Sequence, residues 1–209
     1  MQVMDATSWV EHRTGVMKPT TVEMEELFEA MPAREDRPTF FSFGRHVQIP
    51  RTQQLFGDVQ YGFSRLRMTP NPKLPSLVAR CFAFANETYP AFQFNCALVD
   101  LYEDGNDYVR TCADNNRCLI FSAPILSFSF GATRAFHVVA NVKHTNARIR
   151  DLRLQLQNDD LVVMGGDLQA GFKHCVPKMM EPVGRKFNIT IRSVKKTTST
   201  PKKMKVGVE

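Results

Sequence analysis

Lys186-Phe187-Asn188-Ile189-Thr190-Ile191-Arg192 alternates polar and apolar side chains without a break. This is the period of a β-strand whose two faces meet different surroundings. On an ordinary sandwich Phe187, Ile189 and Ile191 would pack and the polar row would be wet. If Lys186, Asn188, Thr190 and Arg192 face a cavity instead, two cations, an amide and a hydroxyl make a cradle for an anion. The strand alone leaves both arrangements open. A loop separates it from His174-Cys175-Val176-Pro177 upstream.

The 209 residues suit one domain with extensions and are enough to bury a sizeable core. With 27 Lys and Arg against 21 Asp and Glu the net charge is +6, which suits a polyanionic partner such as nucleic acid. The five cysteines are odd in number and lack paired spacing, which points to a reducing compartment without a disulfide framework. Neither a secretory leader nor a membrane span is read from the sequence, so a soluble, intracellular protein, nuclear or cytoplasmic and monomeric, is expected. Sixteen Phe against one Trp indicate a well-filled core.

Thr20 or Thr21 is placed to cap a short helix carrying Met24, Leu27 and Phe28 on one side. Between Asn71 and Tyr89, the residues Leu74, Leu77, Val78, Cys81, Phe82 and Ala85 recur at helical spacing, with Pro75 suited to a first turn. Most of the rest reads as short strands: 97–102, 108–114, 125–130, 134–139, 152–156, 161–164 and 186–194. Gly165-Gly166 reads as a turn. The pattern predicts a mainly β (α+β) chain, a sandwich or jelly roll with N-terminal helices packed outside. Its expected division is an N-terminal extension over 1–35, a domain over 36–194 and a basic, disordered tail over 195–209.

On a strand over 108–114, Tyr108, Arg110, Cys112 and Asp114 share one face. Two ligands from one strand and a distant His, here His174, are how a jelly roll assembles a facial metal site. The ordered set Pro50-Arg51-Thr52-Gln53, Gly57-Asp58, Tyr61-Gly62-Phe63-Ser64, Tyr102-Glu103-Asp104-Gly105-Asn106-Asp107, Asp114, Ser127-Phe128-Ser129-Phe130-Gly131-Ala132-Thr133-Arg134, Met164-Gly165-Gly166-Asp167-Leu168-Gln169, His174-Cys175-Val176-Pro177 and Asn188-Ile189-Thr190-Ile191-Arg192 resembles the AlkB family of Fe(II)- and 2-oxoglutarate-dependent dioxygenases. The resemblance spans residues 40–193. It implies a double-stranded β-helix core, Fe(II) and 2-oxoglutarate as cofactors, and oxidative dealkylation of alkylated bases in DNA or RNA.

Carried over residue by residue, the resemblance makes Asp114 and His174 iron ligands and gives Arg192 the distal carboxylate of 2-oxoglutarate, with Tyr102 lending its hydroxyl. Asn188, Thr190 and Lys186 complete that row, and Arg51, Tyr61, Phe63 and Asn116 fall where relatives shape the base pocket. Arg134 is assigned to structure or nucleic-acid contact. Four positions depart from the family pattern: Cys112 stands where the first iron ligand is a His, Asp100 where an Asn is usual, Lys186 where the signature has Arg, and Asn116 where some relatives have an acid. A thiolate favours softer metals than Fe(II). A second reading therefore stays open, of a catalytically impaired relative that binds nucleic acid or protein.

Overall fold

A computed structural model of the chain describes residues 1–42, 44–63, 66–114, 117–141 and 151–196, leaving aside the side chains of Phe40, Ser42, Phe63 and Leu66. The N-terminal part supplies β1 (Gln2–Val3), β2 (Ser8–Arg13), helix α1 (Thr21–Glu29), β3 (Thr39–Ser42), β4 (Arg45–Gln48), β5 (Thr52–Gly57), β6 (Tyr61–Phe63), β7 (Leu66–Met68) and helix α2 (Ser76–Thr88). There follow β8 (Cys96–Tyr102), β9 (Val109–Cys112), β10 (Ile125–Gly131), β11 (Arg134–Ala140), β12 (Leu152–Leu156), β13 (Asp160–Gly166), a single turn α3 (Leu168–Gly171), β14 (Phe172–Val176) and β15 (Lys186–Arg192). The chain is mainly β, its pairings are antiparallel, and its helices are few. Among the described residues no helix is long and apolar enough to cross a membrane. The expected basic tail lies, from residue 197 onward, outside the described residues.

Seven strands form one sheet in the order β1-β2-β13-β10-β15-β8-β5, and four form a second in the order β12-β11-β14-β9. β15 sits between β10 and β8 near the middle of the larger sheet, where both of its faces are covered. Phe187, Ile189 and Ile191 join Leu77, Val78, Cys81 and Ala85 of α2 in one buried cluster. That packing absorbs the apolar stripe that made α2 legible in the sequence. The helix begins only at Ser76 because Pro75 occupies the N-cap, so Asn71 to Leu74 stay outside it. Thr20 caps α1 through a reciprocal box with Glu23, and Leu27 reaches the same cluster as α2. The opposite row of β15, Lys186, Asn188, Thr190 and Arg192, lines a cavity whose other wall is the smaller sheet. Of the two arrangements open to this strand, the dry one is adopted.

Two features have no counterpart in the sequence reading. β2 adds to the edge of the large sheet against β13, so residues near the N-terminus complete the sheet. Gly165 and Gly166 end β13 rather than forming a turn, and a Cβ on Gly165 would come within 2.1 Å of the Trp9 ring. Arg134 is fully buried, which rules out the nucleic-acid contact and leaves the structural role. Its Nη1 donates to the Asp104 carbonyl at 3.1 Å, and its Nη2 donates to those of Asp107 at 2.7 Å and Pro177 at 2.8 Å. One guanidinium thus ties the 103–107 turn to the segment after β14. Arg134→Met should strand these carbonyls and lower stability by about 3 kcal/mol or more, read by urea denaturation.

Candidate active site

The cavity between the sheets measures about 160 Å³, the size class that holds a small organic molecule. From the large sheet come Leu98, Asp100 and Tyr102 on β8, Ser127 on β10 and the polar row of β15; from the small sheet come Cys112, Phe136 and His174. Alternation explains each contribution, since i and i+2 on a strand share a face. Asp114, just past β9, and Arg51, just before β5, complete the wall.

Asp114 is gripped on one oxygen only. Its Oδ1 accepts from Arg192 Nε at 2.9 Å, Arg192 Nη2 at 2.5 Å and the Tyr61 hydroxyl at 3.2 Å. Oδ2 is buried and has no hydrogen-bond partner among the described residues. The backbone N–H of Asp114 donates to Gln169 Oε1 at 2.9 Å, which fixes the peptide that carries the carboxylate. Burial opposes ionisation of Asp114, but Arg192, His174 and the hydrogen bonds outweigh it and hold the carboxyl below its usual range. His174 is partly buried and stacks on Phe136, with ring centroids 5.7 Å apart, and desolvation of its ring in the cavity holds its pKa below the ordinary imidazole value despite Asp114. An ionised carboxylate with a bare oxygen and a neutral imidazole are the two donors that a divalent iron ion requires.

Cys112 is His174's cross-strand partner and its side chain lines the cavity. Cys112 is exposed as a residue, yet desolvation of its thiol on the cavity side, and secondarily Asp114, raises it to about 11, so it is protonated at neutral pH. Among the described residues no three His, Cys, Asp or Glu side chains converge as a metal cluster. Asp114 and His174 have the donor chemistry that Fe(II) takes, and a protonated Cys112 thiol does not.

The other end of the cavity corrects a pairing made from the sequence. Tyr102 lies opposite Lys186 in the β8–β15 register, whereas Arg192 lies opposite Cys96 at the far end of both strands. At roughly 3.3 Å per residue, the six steps from Lys186 to Arg192 span about 20 Å. Arg192, already committed to Asp114, stands far from Tyr102, and Lys186 is the cation across from Tyr102. The Lys186 ammonium is buried and donates to the Leu156 carbonyl at 3.3 Å. Burial lowers its pKa to about 7, with Asp160 opposing and Arg134 adding to the shift. Between the two ends, Ser127 Oγ donates to Asn188 Oδ1 and Asn188 Nδ2 donates to Thr190 Oγ1, each at 2.9 Å, so the middle of the row is locked.

Asp100, a concern as a bare carboxylate, is paired. Arg51 Nε reaches its Oδ1 at 2.7 Å and Gln53 Nε2 at 2.6 Å. Arg51 and Tyr61 do line the cavity, but their polar groups are engaged with Asp100 and Asp114. Asn116 and the Phe63 side chain lie outside the described residues. Sequence reasoning gave no role to Gln53, Gln169 or Ser127, although all three stand within the motifs that carry the resemblance.

Residues 3–192 match the 2OG-Fe(II) oxygenase superfamily. The chain belongs to that family. Among curated proteins it is 32% identical over 164 residues to the DNA oxidative demethylase ALKBH2 of Bos taurus, covering 75% of this chain and 57% of that protein. It is 31% identical over 157 residues to the Homo sapiens ALKBH2, covering 73% and 59%. To the alpha-ketoglutarate-dependent dioxygenase alkB homolog 3 of Rattus norvegicus it is 32% identical over 152 residues, covering 69% and 50%. The chain thus spans between half and three-fifths of the length of these three relatives. They place it on the AlkB-like branch of the family, whose cofactors are Fe(II) and 2-oxoglutarate.

With a lysine titrating at about 7 at the Tyr102 end, binding of 2-oxoglutarate should weaken as the pH rises through that value, because the ammonium that meets the carboxylate is lost. Above pH 7 the affinity should fall by up to roughly tenfold per unit. Lys186→Arg should flatten the profile between pH 6 and 8, as measured by isothermal titration.

Proposed function

We propose that the chain is an AlkB-like jelly-roll oxygenase, with its helices outside the sheets, that oxidatively dealkylates alkylated bases in nucleic acid. The reading rests above all on the inward row Lys186, Asn188, Thr190 and Arg192 sharing one cavity with Asp114 and His174. The relatives' names, DNA oxidative demethylase among them, supply the substrate class. The net charge of +6 suits that partner. We further assign the work to residues 36–194 of a monomer, nuclear or cytoplasmic, with the basic tail outside the site.

In this reading Asp114 and His174 hold the iron, with Cys112 at the third position. Bound iron, with 2-oxoglutarate as co-substrate, would supply the oxidation of the alkyl carbon by O2. Arg192 keeps Asp114 ionised and aims its bare oxygen, while burial keeps His174 neutral and able to donate its lone pair. Lys186 and Tyr102 receive the distal carboxylate. A lysine keeps the charge of the family's arginine without its bidentate fork. A base paired in a duplex is out of reach of so enclosed a site and has to be flipped into it. No particular observation favours a binding module without chemistry; Cys112 is the residue that raised it.

Purified protein loaded anaerobically with Fe(II) and then given O2 should form succinate from 2-oxoglutarate, faster with a methylated oligonucleotide. Asp114→Ala should abolish this turnover, and Cys112→His should raise it severalfold. Absence of succinate from both the wild type and Cys112→His, each folded, would contradict the assignment.

A further inference from the structure

Asp100 is an acid in the wall of an anion-binding cavity. Its neighbours across β8 are Gln53 on β5 and Asn188 on β15, so it stands mid-sheet and is only 7% exposed. A carboxylate there repels a dicarboxylate co-substrate unless a cation answers it. The cavity's other cations are poorly placed to do so. Arg192 is spent on Asp114, and Lys186 lies opposite Tyr102 and loses its charge at about pH 7. Arg51 is the cation that reaches Asp100, through Nε at 2.7 Å, with side chains 12% and 10% exposed. Gln53 turns its amide N–H to the same oxygen and leaves its own Oε1 buried without a partner among the described residues. The pair lies close enough to Tyr102, Cys112 and His174 to act on all three electrostatically, which places it between the two ends of the cavity.

We propose that Arg51 is a positioning residue for the 2-oxo acid rather than for the base, acting through Asp100 by neutralising the one wall carboxylate that no other cation answers. This inference rests on the oxygenase reading and deepens it. Asp100 depends on Arg51: removing the arginine leaves a buried carboxylate without its cation beside the ligand, whereas removing the acid as well takes away the repulsion.

The test is a double-mutant cycle read by binding. Mn(II)-loaded protein is titrated calorimetrically with N-oxalylglycine, which does not turn over, and folding of each variant is followed by thermal unfolding. Arg51→Ala should weaken N-oxalylglycine roughly thirtyfold, Asp100→Asn alone should leave it within about threefold of wild type, and the double variant should return to within about threefold of Asp100→Asn. In steady state Arg51→Ala should raise KM for 2-oxoglutarate while KM for the oligonucleotide stays unchanged. If Arg51→Ala does not fold, Arg51→Lys, which keeps the charge, should bind within about threefold of wild type, and Arg51→Gln should reproduce the loss. Binding unchanged in the variants that lack the charge, or a double variant as weak as Arg51→Ala, overturns the proposal while the oxygenase reading stands. Wild type that takes up Mn(II) and binds no N-oxalylglycine removes that reading, and this inference with it.

Discussion

Everything in the site depends on the buried ion pair between Arg192 and Asp114. Taking two charges out of water is expensive, and removing one partner of such a pair costs about 3–5 kcal/mol. The geometry offsets that cost by putting three donors on a single oxygen, Arg192 twice and Tyr61 once. The carboxylate is thereby ionised, immobile and bare on its other side. Arg192 also lies over the Tyr61 ring, 5.0 Å from its centroid, so the tyrosine supports both members of the pair. A strand from the middle of the large sheet and the segment after β9 are tied together at this point.

From that constraint the division of labour along β15 follows. The arginine at the strand's end is not available to a ligand 20 Å away, on the order-of-magnitude spacing of roughly 3.3 Å per residue. In the proposed reading the distal anion falls to Lys186, while Asp100 is paired with Arg51. Three cations thus answer three separate negative groups. Arg192 and Arg51 are already matched by Asp114 and Asp100, so the positive charge left over for a ligand is that of Lys186. Lys186 meets the cost of its burial by losing its proton near neutrality, which an arginine at the same place would not do.

Much of this was legible in the residues. The strict alternation of β15, the helical period of α2 and the Thr20–Glu23 box are local signals, and local signals fix local structure. What a linear reading could not settle was partnership. β2 was missed because its partner, β13, lies far along the chain, and the value of Gly165 on β13 is set by Trp9 on β2. Arg192 was assigned to the co-substrate because its type fits a carboxylate; that the carboxylate is Asp114, 78 residues away, is a fact of register. Asp100 looked like a defect for the same reason, since its neutralising arginine is 49 residues away. Gln169 was visible within a motif, but only the fold brings it to the Asp114 N–H.

In the proposed reading this cavity chelates a 2-oxo acid on a metal held by Asp114 and His174, with Lys186 at the far end. Visible absorption under strictly anaerobic conditions, recorded as Fe(II) and then 2-oxoglutarate are added, tests it without requiring turnover. A charge-transfer band should appear only with both components, be absent from Asp114→Ala, and need much more 2-oxoglutarate in Lys186→Met. Folded wild-type protein that develops no band, or a band that Lys186→Met leaves unchanged in its dependence on 2-oxoglutarate, would contradict it.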